Sequence, residues 1–306
     1  MPPTHPSPRC RPQRWPTVVA GLALFASGCG GESTPAPTPP QPARAAAVAD
    51  ALQRAGLAPA AGSATDAATG YPQRVVHQQT GAVLTLLPAG EFTMGSPANE
   101  AARRDDEVAH RRVIRQPYYL GVTEVTQAQW RKVMGNNPSQ FPGDDLPVEH
   151  VSWDDCQQFV QKAVGGLRLP SEAEWEYACR AGTTTPFAFG ATITPAQANF
   201  DGNEPYGGAS KGPNRAATVA AGSLLANAWG LHEMHGNVWE HCQDGYEAYS
   251  GTGTDAPSRA AGARVLRGGG WNDSASSCRA AYRNRYEPGS RDDDGMGLRV
   301  ARTLPE

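Results

Sequence analysis

Residues 267–302 read RGGGWNDSASSCRAAYRNRYEPGSRDDDGMGLRVAR and set Cys278 among arginines, glycines and small polar residues. Such a stretch is either the wall of a thiol-using active site or a surface that binds. A second candidate is GLHEMHGNVWEHC, which carries His232, Glu233, His235, Glu240 and His241. Imidazole and carboxylate groups at that spacing can converge on a transition metal. Neither stretch contains the GxSxG elbow that orders a serine nucleophile. RGGGW lacks the flanks of a phosphate loop, so its glycines are read as permitting a tight strand crossing.

The arginines of the closing segment have two readings. Arg279, Arg283, Arg285, Arg291 and Arg299 can pair with Glu172, Glu174 and Glu176, or with Asp292–Asp294, and hold loops together. Alternatively they face a ligand. Trp271, Asn272, Ser274, Ser276, Tyr282, Asn284, Tyr286 and Asp293 are the rigid aromatics and adaptable hydrogen-bonders that binding surfaces favour. Trp271, Asn272, Arg279, Tyr282, Arg283 and Arg285 form the expected binding surface.

These residues must be positioned by short elements. GAVLTLLPAGEFTMGS predicts strand, turn and strand. Strands are expected at 113–119, at 121–124, in RVLRGGGW and in MGLRVART. Three helices announce themselves through their caps: Thr126 before a helix that Gly135 stops, Ser152 before Trp153, and Ser171 with Glu174 as a capping box before a helix that Gly182 ends. Trp153, Cys156, Phe159, Val160 and Ala163 share one helical face. Residues 183–228 are mostly turn signals, too long for a plain connector. The fold class is α+β, with few helices and much irregular chain.

Composition agrees. The chain of 306 residues has 34 glycines and 27 prolines but only 19% charged residues, which favours turns over long helices. The net charge of −3 provides no global field for nucleic acid, so none is expected as a partner. Lysine occurs only at 132, 162 and 211, so nearly all the cations are arginines, whose forks hold carboxylates in fixed geometry.

The first 74 residues are expected to lie outside the domain. Arg9, Arg11 and Arg14 precede the apolar run PTVVAGLALFASGCGG, a secretory signal pattern. ASGC resembles the bacterial lipobox, which makes Cys29 the lipidated residue of a signal peptide spanning 1–29, with Ala26 where a larger aliphatic residue is usual. Gly30 after the cysteine implies outer-membrane sorting. Residues 30–74 read as a Pro/Ala-rich linker and 75–306 as one domain. Localisation is thus expected at the periplasmic face of a membrane, through a lipid anchor. Cys156, Cys179, Cys242 and Cys278 are an even number in an exported chain, which favours two disulfides among three possible pairings.

Seven segments in order, GEFTMGS, GVTEVTQAQW, PVEHVSWDDCQQF, RLPSEAEWEYACRAG, GLHEMHGNVWEHCQD, RVLRGGGW and GLRVAR, resemble the formylglycine-generating enzyme or sulfatase-modifying-factor family over roughly residues 83–303. The resemblance implies a C-type-lectin-like fold of small twisted sheets and long ordered loops. It also implies a Cys179–Cys278 bridge, which leaves Cys156 with Cys242. For the 232–241 loop it implies structural calcium held by Glu233, the carbonyls of Gly236 and Val238, and Glu240, with His241 where the family usually has Trp. A second implied calcium site would use Asn199 and the Phe200 carbonyl, but GGASKGPN supplies no acid for it.

The family's oxidase holds copper(I) between two cysteines five residues apart in the closing segment. Here Asp273 stands five residues before Cys278 and Arg283 five after, and neither is a soft ligand. Copper is therefore not expected unless Cys242 supplies a second thiol, and Cys278 is at most a doubtful catalytic residue. The expected function is a non-oxidase accessory or binding module for a peptide or protein. The alternatives are an oxidase acting on a sulfatase-type cysteine and a retroelement-diversified displayed binder.

Overall fold

The computed structural model describes residues 41–249, 253–254, 256–291 and 295–305. Cys29 and the signal pattern lie outside the described residues, as do Asp292–Asp294. The described chain runs α1 (Gln41–Arg54), β1 (Leu57–Pro59), β2 (Arg74–His77), β3 (Val83–Leu87), β4 (Gly90–Met94), β5 (His110–Ile114), β6 (Tyr118–Gly121), α2 (Gln127–Met134), α3 (Trp153–Lys162) and α4 (Glu172–Arg180). It continues with β7 (Trp239–Gly245), β8 (Gly253–Thr254), β9 (Arg264–Arg267), β10 (Asn284–Tyr286), β11 (Met296–Gly297) and β12 (Ala301–Thr303).

The strands form three small sheets. One has the order β1-β2-β3-β6-β12, the second β10-β9-β7-β11, the third β4-β5-β8. In the first, β12 pairs antiparallel with β6, so the last strand lies beside one from the first half of the domain. The second sheet carries the closing segment: β9 joins β10 on one side and β7 on the other.

The three expected caps form. Thr126, Ser152 and Ser171 each accept the backbone N–H three residues on, and Gln129, Asp155 and Glu174 reach back to complete capping boxes. Each box satisfies donors that a helix start leaves free, worth about 0.5–2 kcal/mol. Trp130 of α2 stacks on Phe159 of α3 at 5.1 Å, and together with Val75, Leu84, Leu169 and Leu298 they build one apolar core. A second core gathers Trp175, Ala178 and Cys179 of α4 against Leu87, Tyr118, Leu120 and Val265.

Three expectations change. The segment read as linker folds: α1 buries Ala51 and Leu52, Leu52 and the following Ala55 join the first core, and β1 pairs with β2. Val48, Ala51, Leu52 and Ala55 recur at helical spacing, and alanine is the best helix former. The strand expected at 113–119 is two strands in different sheets, because Pro117 between them has no N–H to donate. The strand expected at 121–124 ends at Gly121.

Candidate functional site

Helix α4 is buried along all nine of its residues, including Glu172, Glu174 and Glu176. A buried carboxylate needs a partner, and each has an arginine. Glu174 takes a bidentate fork from Arg168 at 2.6 and 2.7 Å. Glu176 accepts from Arg180 at 2.8 Å and from Arg267. Glu172 accepts from Arg283 at 2.6 and 2.9 Å. Burial raises the Glu172 pKa, but Arg283 and Arg267 outweigh it and hold the carboxyl below its usual value.

The expected binding surface therefore divides. Arg279 and Arg283 are corrected: both are buried and belong to the scaffold. Arg279 is 0% exposed and spans Glu100 at 2.6 Å and both oxygens of Glu107 at 2.7 Å. Arg299 is likewise buried on Glu240, and Arg291 forks onto Asp155 at 2.7 Å. Trp271, Asn272, Tyr282 and Arg285 stay at the surface.

Trp271 meets Phe141 edge-on at 5.3 Å. The Tyr282 hydroxyl accepts from Arg104 at 2.9 Å, and its ring lies 5.9 Å from Trp239. Arg285 lies over Tyr246 at 4.4 Å, and Arg103, Arg104, Asp105, Asp106, Tyr246 and Arg285 line an open hollow of about 460 Å³. Phe141, Arg104 and Tyr246 were not legible as site residues. The RRDDE run at 103–107 was the available signal for Arg104 and for Glu107.

Asp273 occupies the position five residues before Cys278. Its Oδ2 accepts the indole N–H of Trp239 at 2.8 Å and the backbone N–H of Gly270 at 2.8 Å. Cys278 is fully buried with Phe187, Phe200 and Tyr206, and its thiol donates to the Ser274 carbonyl at 3.7 Å. A Cβ at Gly269 would stand 2.6 Å from the Cys278 sulfur, and Gly269 also has φ +81°, so only glycine fits that crossing. Burial pushes the Cys278 pKa far up, helped by the nearby Asp273 charge. A buried neutral thiol beside an engaged carboxylate does not fit a copper(I) ion that wants two thiolates.

The expected disulfides are corrected too: Cys156, Cys179, Cys242 and Cys278 are all free and buried. Cys156 packs in the first core and Cys242 in the second. Cys179 sits instead 3.6 Å from the Met234 carbonyl and 3.6 Å from the His235 ring. Cys242, the candidate second thiol for Cys278, lies in a different cluster from it.

The histidines of the 232–241 loop do not converge. His235 donates from Nδ1 to the Cys278 carbonyl at 2.7 Å and accepts the Ala188 N–H at 3.0 Å. His241 donates to the Val151 carbonyl at 3.1 Å and His232 binds the Leu224 carbonyl at 2.8 Å. Burial depresses His235 and His241 to about 4. Among the described residues no three His, Cys, Asp or Glu side chains gather as metal ligands.

The side chains implied as calcium donors are also engaged. Both Glu240 oxygens accept from Arg299, and Oε2 also accepts the Trp175 indole at 2.7 Å. The Glu233 oxygens accept the N–H groups of Gly222 and Leu224 at 2.8 and 2.9 Å. Asn199 donates to Ala217 and to Asn237, and its backbone bridges Gly236. Glu233, Glu240 and Asn199 are thus structural ties, and the set does not fit calcium as drawn.

A family model described as "Sulfatase-modifying factor enzyme 1-like domain" matches residues 71–304. The chain belongs to the sulfatase-modifying factor family. It is 29% identical over 232 residues to the chaperone protein LppX of Paenibacillus barcinonensis, covering 61% of this chain and 80% of that one. It is 29% identical over 265 residues to the formylglycine-generating enzyme of Streptomyces coelicolor, covering 67% and 82%. The structure of PvdO from Pseudomonas aeruginosa superposes with a TM-score of 0.62 at 28% identity, over 74% of this chain and 96% of that one. The fold is thus the C-type-lectin-like fold of that family, α+β with few helices.

Proposed function

We propose that this family member is an exported, lipid-anchored accessory module that binds an extended peptide or protein and does not oxidise it. One observation carries the reading. At the position where the oxidase needs a second thiolate, Asp273 is tied to Trp239 and Gly270, while Cys278 is a buried neutral thiol. The surface of Trp271, Asn272, Tyr282 and Arg285 supplies aromatic and hydrogen-bonding groups suited to a peptide. A relative named as a chaperone protein supports an accessory role and, with the signal pattern ending at Cys29, supports export and lipidation. Among the described residues no helix is long and apolar enough to cross a membrane.

The test is to supply copper(I), oxygen and a cysteine-containing sulfatase-type peptide. Mass spectrometry is expected to return the peptide unchanged. Oxygen-dependent aldehyde at its cysteine, formed only with this protein, would overturn the reading in favour of the oxidase.

A further inference from the structure

The arginines of the closing segment are not all spent. Arg267, Arg279, Arg283, Arg291 and Arg299 each hold a carboxylate. Arg285 does not. It is exposed, and among the described residues its guanidinium meets only the Tyr246 ring, at 4.4 Å. Arg103 lines the same hollow, and among the described residues its side chain donates only to the Ser96 carbonyl, at 3.4 Å. The acids of the lining are Asp105 and Asp106. Asp106 is committed: it accepts the Tyr246 hydroxyl and lies 3.6 Å from Arg104. Asp105 alone is then set against Arg103 and Arg285, so the hollow keeps a surplus of positive charge.

The free guanidinium is also well supported. The Tyr246 ring beneath it carries Arg283 as well, at 4.6 Å, and Arg283 is itself buried on Glu172. Asp106 holds the other end of that tyrosine through its hydroxyl. A planar cation seated on a fixed ring gives up less freedom when it closes on a ligand, and its fork of N–H groups matches the two oxygens of a carboxylate. Arg104 joins the hollow to the aromatic surface, because its guanidinium donates to the Tyr282 hydroxyl at 2.9 Å.

We infer that the peptide taken by the surface of Trp271 and Tyr282 is an acidic one, and that Arg285, with Arg103, receives an aspartate or glutamate side chain of it. The inference rests on the reading of that surface as a peptide site and adds the class of peptide. The hollow is open to water, so the attraction is screened and binding should weaken as salt is raised.

The test uses the full chain and, as probe, a displayed library of random peptides. Selection on wild type should enrich peptides that carry Asp or Glu. The best of them, labelled with fluorescein, is then titrated by anisotropy. Changing its acid to the matching amide should weaken binding about five- to tenfold, and so should Arg285→Ala; the two together should cost little more than either alone. Arg285→Glu should lose the acidic peptide and gain the same peptide with lysine in place of the acid. A misfolded variant could not make that exchange. Enriched peptides that carry no acid, or an acidic peptide that Arg285→Glu binds as wild type does, would overturn the inference and leave the peptide surface standing. A library that returns no binder would overturn the surface reading and the inference with it.

Discussion

The Asp273 carboxylate accepts the Trp239 indole N–H at 2.8 Å and so joins the closing segment to β7. The same oxygen takes the Gly270 N–H, which makes Asp273 an anchor for the turn that leads to Cys278. Asp273→Ala leaves both donors unpaired in a half-buried setting. Chemical denaturation should show a loss of about 1–3 kcal/mol. A variant as stable as wild type would mean that the anchor is idle.

The arginines of the closing segment should separate sharply by burial. Arg279→Leu abandons Glu100 and Glu107 in the interior, and removing one partner of a buried pair costs about 3–5 kcal/mol. Arg285→Ala removes an exposed side chain and should change stability by less than about 0.5 kcal/mol. The same Arg285→Ala, like Trp271→Ala, should weaken peptide binding once a ligand is in hand. Denaturation midpoints for the two arginine variants check the contrast.

The thiols give a second check on the interior. All four cysteines of the described region are buried, and burial raises the pKa of each. The folded domain should not react with an aromatic disulfide reagent at neutral pH, and all four should react once it is unfolded. Fewer than four after unfolding without reductant would show that a bridge forms.

Acid should destabilise the protein through two histidines. His235 and His241 are neutral in the fold, with pKa values depressed to about 4, while unfolded histidine titrates near 6.5. The unfolded chain then binds more protons between those values. The stability they support is complete above about pH 6.5 and is lost as pH falls towards 4. Denaturation midpoints over that window should fall with pH, and His241→Phe should flatten part of the slope.

Local signals were the legible ones. Ser152, Ser171 and Thr126 announced their helices because a cap and its box lie within four residues of each other. Helix α1 has no such cap, and its alanines suit a linker as well as a helix; only packing against Leu57 and Val75 decides. The site was half legible. Arg283 does pair with Glu172, as one reading expected, but Arg279 finds Glu107 at a separation of 172 residues, which no spacing rule reaches. The free cysteines escaped for the same reason: an even count says nothing about which apolar cluster each thiol joins. The seven ordered motifs carried the family because each is a short run of adjacent residues.

Copper(I) titration of the reduced protein against a competing chelator tests the central claim most directly. The account predicts no tight stoichiometric binding and no difference between wild type and Cys278→Ala. One copper(I) per chain, lost in Cys278→Ala, would contradict it.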